Sequence, residues 1–192
     1  MVRTNWFMKQ VVMLRKFRLP SITIACTALL VALASTPSFA QEAGPDSLVE
    51  TYADWQVRCQ TVTRDDTRIR ACGMQQNLTR QLDDGTSQQI LSVTITPTDG
   101  GDGVAAVVTP LGVGLARGLD ISFDGGMIEA NYVTCKQRGC IVREPLSSGV
   151  ISAFRAGENA AVIMEVVGQG ELSLPLFLNG FDAAWQRVLE LK

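Results

Sequence analysis

The chain has 192 residues, of which 46% are hydrophobic and 19% charged, and it contains no histidine. This length fits one domain, with or without a leader. The absence of histidine excludes Ser-His-Asp and Cys-His nucleophiles and zinc sites that use imidazole ligands. After residue 40 the lysines are Lys136 and Lys192, so a Ser-Lys dyad would have to use Lys136, which lies in a tight turn.

Residues 1–40 have the composition of an export signal. Five basic and no acidic side chains occur there, with an apolar run over residues 22–34 and an A-x-A-like exit that ends at Ala40. This order predicts a Sec-type signal peptide over residues 1–40, with Met1 or Met13 as its start. The alternative is a membrane anchor, which the sequence disfavours because the apolar run is shorter than the ~18–20 residues that span a bilayer.

Removal of the predicted signal peptide changes the charge of the chain. Five of the 17 Lys and Arg residues leave with it, so 12 remain against 19 Asp and Glu, and the net charge moves from −2 to about −7. An acidic chain with scattered arginines has no electrostatic footprint for nucleic acid. It also lacks the polybasic cluster that anionic lipid surfaces attract. We therefore expect no nucleic-acid partner and no transmembrane span in the mature chain.

Four cysteines follow the predicted signal peptide, and their even number indicates disulfides in an oxidising compartment. Of three connectivities, we favour Cys59 with Cys72 and Cys135 with Cys140, because each pair flanks a turn-rich segment. The alternative is a thiol–disulfide exchange site, for which Cys-X-X-Cys is the common spacing. The pairs in this chain are separated by twelve and four residues, which favours structural bridges.

Short segments of alternating polarity follow one another along the chain. Residues 41–50 are polar and are predicted to form a flexible lead-in to a domain over residues 51–192. Trp55, Val57 and Cys59 alternate with polar residues, a period of two that indicates a half-buried strand. Further strands are predicted at residues 69–74, 89–96, 104–109, 119–123, 127–135, 140–143, 160–167 and 171–178.

Helical spacing occurs only near the C-terminus. Leu146, Val150, Ile151 and Phe154 recur at helical intervals before Gly157, and a second helix is predicted over residues 183–189. Many short strands with turn signals between them, followed by two brief helices, predict an all-β fold, an antiparallel β-sandwich stapled by the two disulfides.

Residues 110–115 are too rich in glycine for a regular strand. Leu111, Val113 and Leu115 are predicted to form an exposed apolar contact loop, because loops on rigid scaffolds often carry binding residues. The alternative is that the glycines let the chain pass closely over the core while the apolar side chains point inward. The sequence leaves both interpretations open.

The remaining polar motifs have simpler explanations than chemistry. The carboxylate pairs Asp65-Asp66 and Asp83-Asp84 lie in turns, where aspartate forms local hydrogen bonds. Residues 99–103 lack the twelve-residue ligand pattern of a calcium loop, and there is no Gly-Lys-Ser/Thr phosphate loop. We therefore predict no catalytic residue, no cofactor and no metal ion.

Taken in order, several short motifs resemble the invasion-associated locus B family of exported bacterial proteins. The matching pieces are Asp54-Trp55-X-Val57-X-Cys59, Cys72-X-Met74, Pro110-Leu111-Gly112, Cys135 with Gly139-Cys140, Ser173-Leu174-Pro175-Leu176, Gly180-Phe181 and Ala183-Ala184. The resemblance implies an immunoglobulin-like β-sandwich in the periplasm or envelope and no established catalytic activity. It also implies a structural role for the four cysteines, and it supplies no active-site residues.

The sequence and the resemblance together predict a non-catalytic interaction module. We expect it to be exported to the periplasm, with association to the outer membrane or cell surface, and to bind an envelope or surface protein. The family name adds a role in host-cell interaction. The alternatives are a carrier of a small apolar ligand and an enzyme that uses a labile disulfide or carboxylates. Neither the partner nor the oligomeric state is predicted.

Overall fold

The structure, a computed structural model, describes residues 47–192. The predicted signal peptide and residues 41–46 lie outside the described residues. The strands are β1 (Ser47–Tyr52), β2 (Trp55–Arg64), β3 (Thr67–Gln81), β4 (Ser87–Pro97), β5 (Gly103–Thr109), β6 (Leu119–Phe123), β7 (Gly126–Ala130), β8 (Tyr132–Lys136), β9 (Gly139–Leu146), β10 (Asn159–Val166) and β11 (Gly170–Phe177). The helices are α1 (Ser148–Ala156) and α2 (Phe181–Glu190), and a short 3-10 helix covers Asp99–Gly101.

The strands form two antiparallel sheets. Seven strands make the larger sheet in the order β1-β2-β3-β4-β5-β9-β8, and four make the smaller sheet in the order β11-β10-β6-β7. Buried residues from both sheets and both helices belong to one apolar core. The prediction of an all-β antiparallel fold with two short helices near the C-terminus is confirmed.

The two helices carry aromatic side chains into the core. Helix α2 contacts β1, β2, β3 and β4 and buries Phe181 and Trp185. The Phe181 ring lies edge-on to Trp55, with centroids 5.2 Å apart, and edge-on to Phe154 of α1 at 5.5 Å. Each such pair contributes about 0.5–1.5 kcal/mol beyond the area it buries. The fully buried Trp55 therefore joins β2 to α2, and Phe181 joins α2 to α1.

A buried glutamine connects the two sheets. Gln76 of β3 is 3% exposed. Its Nε2 donates to the carbonyl oxygen of Phe177 at 2.8 Å, and its Oε1 accepts from the Phe177 N–H at 2.9 Å. Trp55 Nε1 donates to the same carbonyl oxygen at 2.8 Å. Because Phe177 ends an edge strand of the smaller sheet, these side chains take the place of a neighbouring strand there.

Strand β1 begins inside the segment that was predicted to be a flexible lead-in. It starts at Ser47, whereas the prediction kept residues 41–50 flexible and began the domain at residue 51. Tyr52 packs against the core. Glu50 accepts two hydrogen bonds from Arg187 of α2, at 2.7 Å from Nε and 2.9 Å from Nη2. Local polarity cannot reveal a partner so distant in sequence, which is why the strand was missed.

The segment predicted as one strand over residues 127–135 is divided between the two sheets. It forms β7, which pairs with β6 in the smaller sheet, and β8, which pairs with β9 in the larger sheet. The division falls at Asn131. The chain therefore crosses from one sheet to the other at Asn131, a residue type that is depleted in strands.

The ion pair between β1 and α2 predicts a pH-dependent stability. The hydrogen bonds from Arg187 hold the pKa of Glu50 at about 2, below its ordinary value of 4.5. A carboxyl group with a lowered folded-state pKa stabilises the fold above its unfolded pKa, and this contribution is lost as the pH falls through the folded pKa. We expect Glu50→Gln to lower the free energy of unfolding at neutral pH. The difference from the wild type should shrink between about pH 4.5 and 2.

Urea denaturation followed by tryptophan fluorescence measures this difference across the pH range. The control is Glu129→Gln, because Glu129 is exposed on β7 and forms no ion pair within residues 47–192. A difference between the wild type and Glu50→Gln that stays constant down to pH 2 would contradict the assignment.

Candidate functional site

The first cysteine pair joins β2 to β3. Cys59 and Cys72 are directly opposite each other in the strand register and form a disulfide. Cys59 is 1% exposed, and the Cys72 sulfur lies 3.6 Å from the carbonyl oxygen of Leu191, just beyond α2. This cystine thus lies in the interior, beside the end of the last helix.

The second cysteine pair joins β8 to β9 at the edge of the larger sheet. Cys135 and Cys140 are also directly opposite each other and form a disulfide. Cys140 is buried, while Cys135 is exposed on the edge strand. Gly139 has a φ of 143°, and a side chain there would collide with the carbonyl oxygen of Thr109. The turn therefore lies tightly against the end of β5, where the 110–115 loop begins.

The predicted contact loop is divided by the structure. Leu111 and Leu115 are 57% and 53% exposed, whereas Val113 is 6% exposed and belongs to the core. Val113 forms an isolated antiparallel bridge with Val166 at the end of β10. The two sequence interpretations thus each describe part of the loop. Val113 is not available as a contact residue.

Backbone hydrogen bonds fix the loop against the end of β10. The Val167 N–H donates to the Gly112 carbonyl oxygen at 2.8 Å, and the Gly114 N–H donates to the Glu165 carbonyl oxygen at 2.9 Å. Val167 is itself 67% exposed. We call the exposed set Leu111, Leu115 and Val167 the apolar loop patch.

Val167 was not singled out from the sequence, because it continues the strand pattern of residues 160–167. The sequence signal that could have identified Val167 is its position directly before Gly168, where a large apolar residue ends a strand. Its pairing with the loop depends on the bridge between Val113 and Val166, and that contact is not encoded locally.

The carboxylate pairs lie in turns, as their sequence context indicates. Asp65 and Asp66 adopt positive φ values of 47° and 60° in the turn between β2 and β3. Asp84 accepts hydrogen bonds from the Thr86 hydroxyl at 2.6 Å and from the Thr86 N–H at 2.8 Å. The hydroxyl and then the N–H of Thr86 lower the pKa of Asp84. The Asp84 carboxylate is therefore used by its own turn.

The aspartates at residues 99 and 102 have partners distant in sequence. Asp102 accepts a hydrogen bond from the Ser148 N–H at the start of α1, at 2.7 Å, and Asp99 pairs with Lys192 at 3.0 Å. Within residues 47–192, no group of three or more histidine, cysteine, aspartate or glutamate side chains is placed to hold a metal ion. The part of the chain that the structure describes also contains no helix long and apolar enough to cross a membrane.

The two disulfides are expected to contribute different amounts to the free energy of unfolding. Replacing Cys59 and Cys72 by alanine opens a loop of ~14 residues, and replacing Cys135 and Cys140 opens one of ~6 residues. We expect these changes to lower the free energy of unfolding by about 3 and about 2 kcal/mol respectively, in the chain-entropy model. Thermal and urea unfolding of the two variants, beside the reduced wild type, measures both values. Peptide mapping that finds crossed pairs, or reduction that leaves the melting temperature unchanged, would contradict the pairing.

Comparison with known proteins places this geometry in a family. The family model described as "Invasion associated locus B (IalB) protein" matches residues 55–189, a range that includes the four cysteines and both helices. An invasion protein B homolog of Brucella abortus is 29% identical over 164 residues, covering 83% of this chain and 91% of that protein. Invasion protein B of Bartonella bacilliformis is 30% identical over 179 residues, covering 90% and 92%.

A solved structure is similar as well. The crystal structure of invasion associated protein B from Bartonella henselae superimposes with a TM-score of 0.63 at 25% identity, covering 76% of this chain and 97% of that one. The match in sequence and the match in fold therefore point to the same family. The chain belongs to the invasion-associated locus B family.

Proposed function

We propose that the protein is exported to the periplasm and acts there, or at the outer surface, as a non-catalytic interaction module. The observation that carries this proposal is the apolar loop patch. Three large aliphatic side chains stand more than half exposed on segments held by backbone hydrogen bonds. Exposed apolar groups on a rigid loop are typical of contact surfaces. We therefore assign the patch to binding of an envelope or surface protein.

Two further features support export. The sequence predicts a Sec-type signal peptide over residues 1–40, and the described cysteines are paired as disulfides, which persist in oxidising compartments. Relatives in Brucella and Bartonella are named invasion proteins. In its finer form, the proposal extends to contact with a host cell by an organism that invades one.

The alternatives receive less support from the geometry. An apolar ligand between the sheets would have to displace the packed rings of Trp55, Phe154, Phe181 and Trp185. For disulfide exchange, Cys59 is only 1% exposed, and the exposed Cys135 is separated from Cys140 by four residues, not by the two that are common in exchange enzymes. Native mass spectrometry of the purified protein distinguishes a carrier, because a carrier retains a small molecule.

Substitution of the patch tests the proposal directly. Leu111→Ser with Leu115→Ser should leave the melting temperature nearly unchanged, because both side chains are mainly in solvent, and should abolish capture of the partner. Crosslinking pull-down from envelopes of cells that produce the protein measures the capture. Met127→Ser is the matched control, since Met127 is 57% exposed on another part of the molecule.

A buried residue of the same loop completes the design. Val113→Ala should lower the free energy of unfolding by about 1–2 kcal/mol, because it removes two buried methyl groups. Capture that survives the double leucine substitution would overturn the role of the patch. A pull-down that recovers nothing, with a lipid-like molecule bound to the purified protein, would favour the carrier.

A further inference from the structure

The outer face of the larger sheet contains a groove remote in sequence from the apolar loop patch. It has a volume of about 280 Å³ and is lined by Arg58, Gln60, Val62, Ala71, Cys72, Gly73, Gln75, Thr94 and Thr96. These residues lie on β2, β3 and β4. Alternation along each strand directs Trp55, Val57 and Met74 into the core and directs their sequence neighbours to this face.

The floor of the groove exists because one strand residue has no side chain. Gly73 lies opposite Arg58 in the register, and a Cβ at Gly73 would stand 3.2 Å from Thr96 Oγ1 and from the Ile95 carbonyl oxygen. Its φ is not positive, so no turn requires a glycine there. Glycine inside a strand often marks the close approach of another backbone. At Gly73 that backbone is β4, and the missing side chain also leaves the floor of the groove open.

The charge of the groove is the opposite of the charge of the chain. Arg58 is its one charged lining residue, and no carboxylate lines it. Arg58 is exposed and forms no ion pair or hydrogen bond with any residue of the described range 47–192. After residue 40, acidic residues outnumber basic ones by 19 to 12. An unpaired guanidinium in such a chain is a directed site for a carboxylate, which it can bind through two parallel hydrogen bonds.

The neighbouring polar groups indicate what else the ligand must offer. Both N–H donors of the Gln75 amide are used inside the protein, by Asn77 Oδ1 at 2.9 Å and by Ser92 Oγ at 3.0 Å. The side-chain amide oxygen of Gln75, Oε1, is therefore left to accept a hydrogen bond from an N–H of the ligand. Val62, which is 43% exposed, gives the groove an aliphatic wall. Carboxylate, N–H donors and aliphatic carbon occur together in an acidic peptide.

We propose that this groove binds an acidic peptide segment of a partner protein, with a glutamate or aspartate carboxylate on Arg58. This inference rests on the proposed function, because it requires that the partner is a protein. The groove is a different surface from the apolar loop patch. The small volume suits a short stretch of extended chain and not a folded surface. The remainder of the partner would lie on the open face of the sheet.

The test is a titration of the ¹⁵N-labelled full mature chain with an N-acetylated oligoglutamate peptide at low salt. We expect the amide signals of Gly73, Thr94 and Thr96 to shift, and we expect an oligoglutamine peptide of the same length to bind more weakly. Arg58→Gln should weaken oligoglutamate binding about tenfold or more, as expected for hydrogen bonds to a charged group. Because Arg58 is exposed, the variant should keep the wild-type melting temperature.

The control variant is Arg138→Gln. Arg138 lies in the turn between β8 and β9, at the opposite edge of the larger sheet from β2, is exposed, and makes no ion pair with a residue of the described range. Its substitution should leave the affinity unchanged. The proposal would be overturned by an equal loss of oligoglutamate affinity in both arginine variants, by equally strong binding of oligoglutamine, or by no binding of oligoglutamate at all. Leu111→Ser with Leu115→Ser should bind oligoglutamate like the wild type, so failure of the patch and failure of the groove are distinguishable.

Discussion

The arrangement of the sandwich depends on how the backbone of Phe177 is hydrogen-bonded. Phe177 lies at the end of an edge strand, where a polar backbone group facing the core would be costly without a partner. The buried amide of Gln76 pairs with both its N–H and its carbonyl oxygen, and Trp55 donates to the same oxygen. Residues of the larger sheet thus hold the edge of the smaller one. Trp55 also packs on Phe181 of α2, so one cluster joins both sheets to the last helix.

Because the space between the two sheets is filled by packed side chains, we expect partners to bind at the outer surface of the molecule. The aromatic rings and one cystine occupy the space between the layers, and Asp84 is used by hydrogen bonds within its own turn. Two features of the described surface are proposed to bind a partner. The apolar loop patch exposes aliphatic side chains at fixed positions, and the groove at Arg58 offers a cation in an acidic chain. Both suit binding of another protein. Because the patch lies on connecting segments and the groove on β2, β3 and β4, each can be changed without the other.

Much of this could be predicted from the sequence, and the exceptions have physical causes. Alternation at Trp55, Val57 and Cys59 identified a core strand because one face of it is buried. The β1 strand was missed because its ion pair is with a helix more than a hundred residues later, and Gln76 was missed because a polar residue in a strand looks solvent-facing. The 110–115 loop was ambiguous because residues close together in it differ in burial. Leu111 faces solvent and Val113 faces the core for reasons that only the contact with β10 decides.

The most direct test of the hydrogen bonds by which Gln76 joins the two sheets is amide hydrogen exchange at Phe177, measured by NMR. Strand alternation places the N–H of Ser173 on the same open side of β11, but within residues 47–192 no side chain of the larger sheet accepts a hydrogen bond from it. The account predicts that Phe177 exchanges slowly, close to the rates of core amides in β10, while Ser173 exchanges quickly. A Phe177 amide that exchanges as fast as that of Ser173 would contradict the claim that Gln76 joins the two sheets.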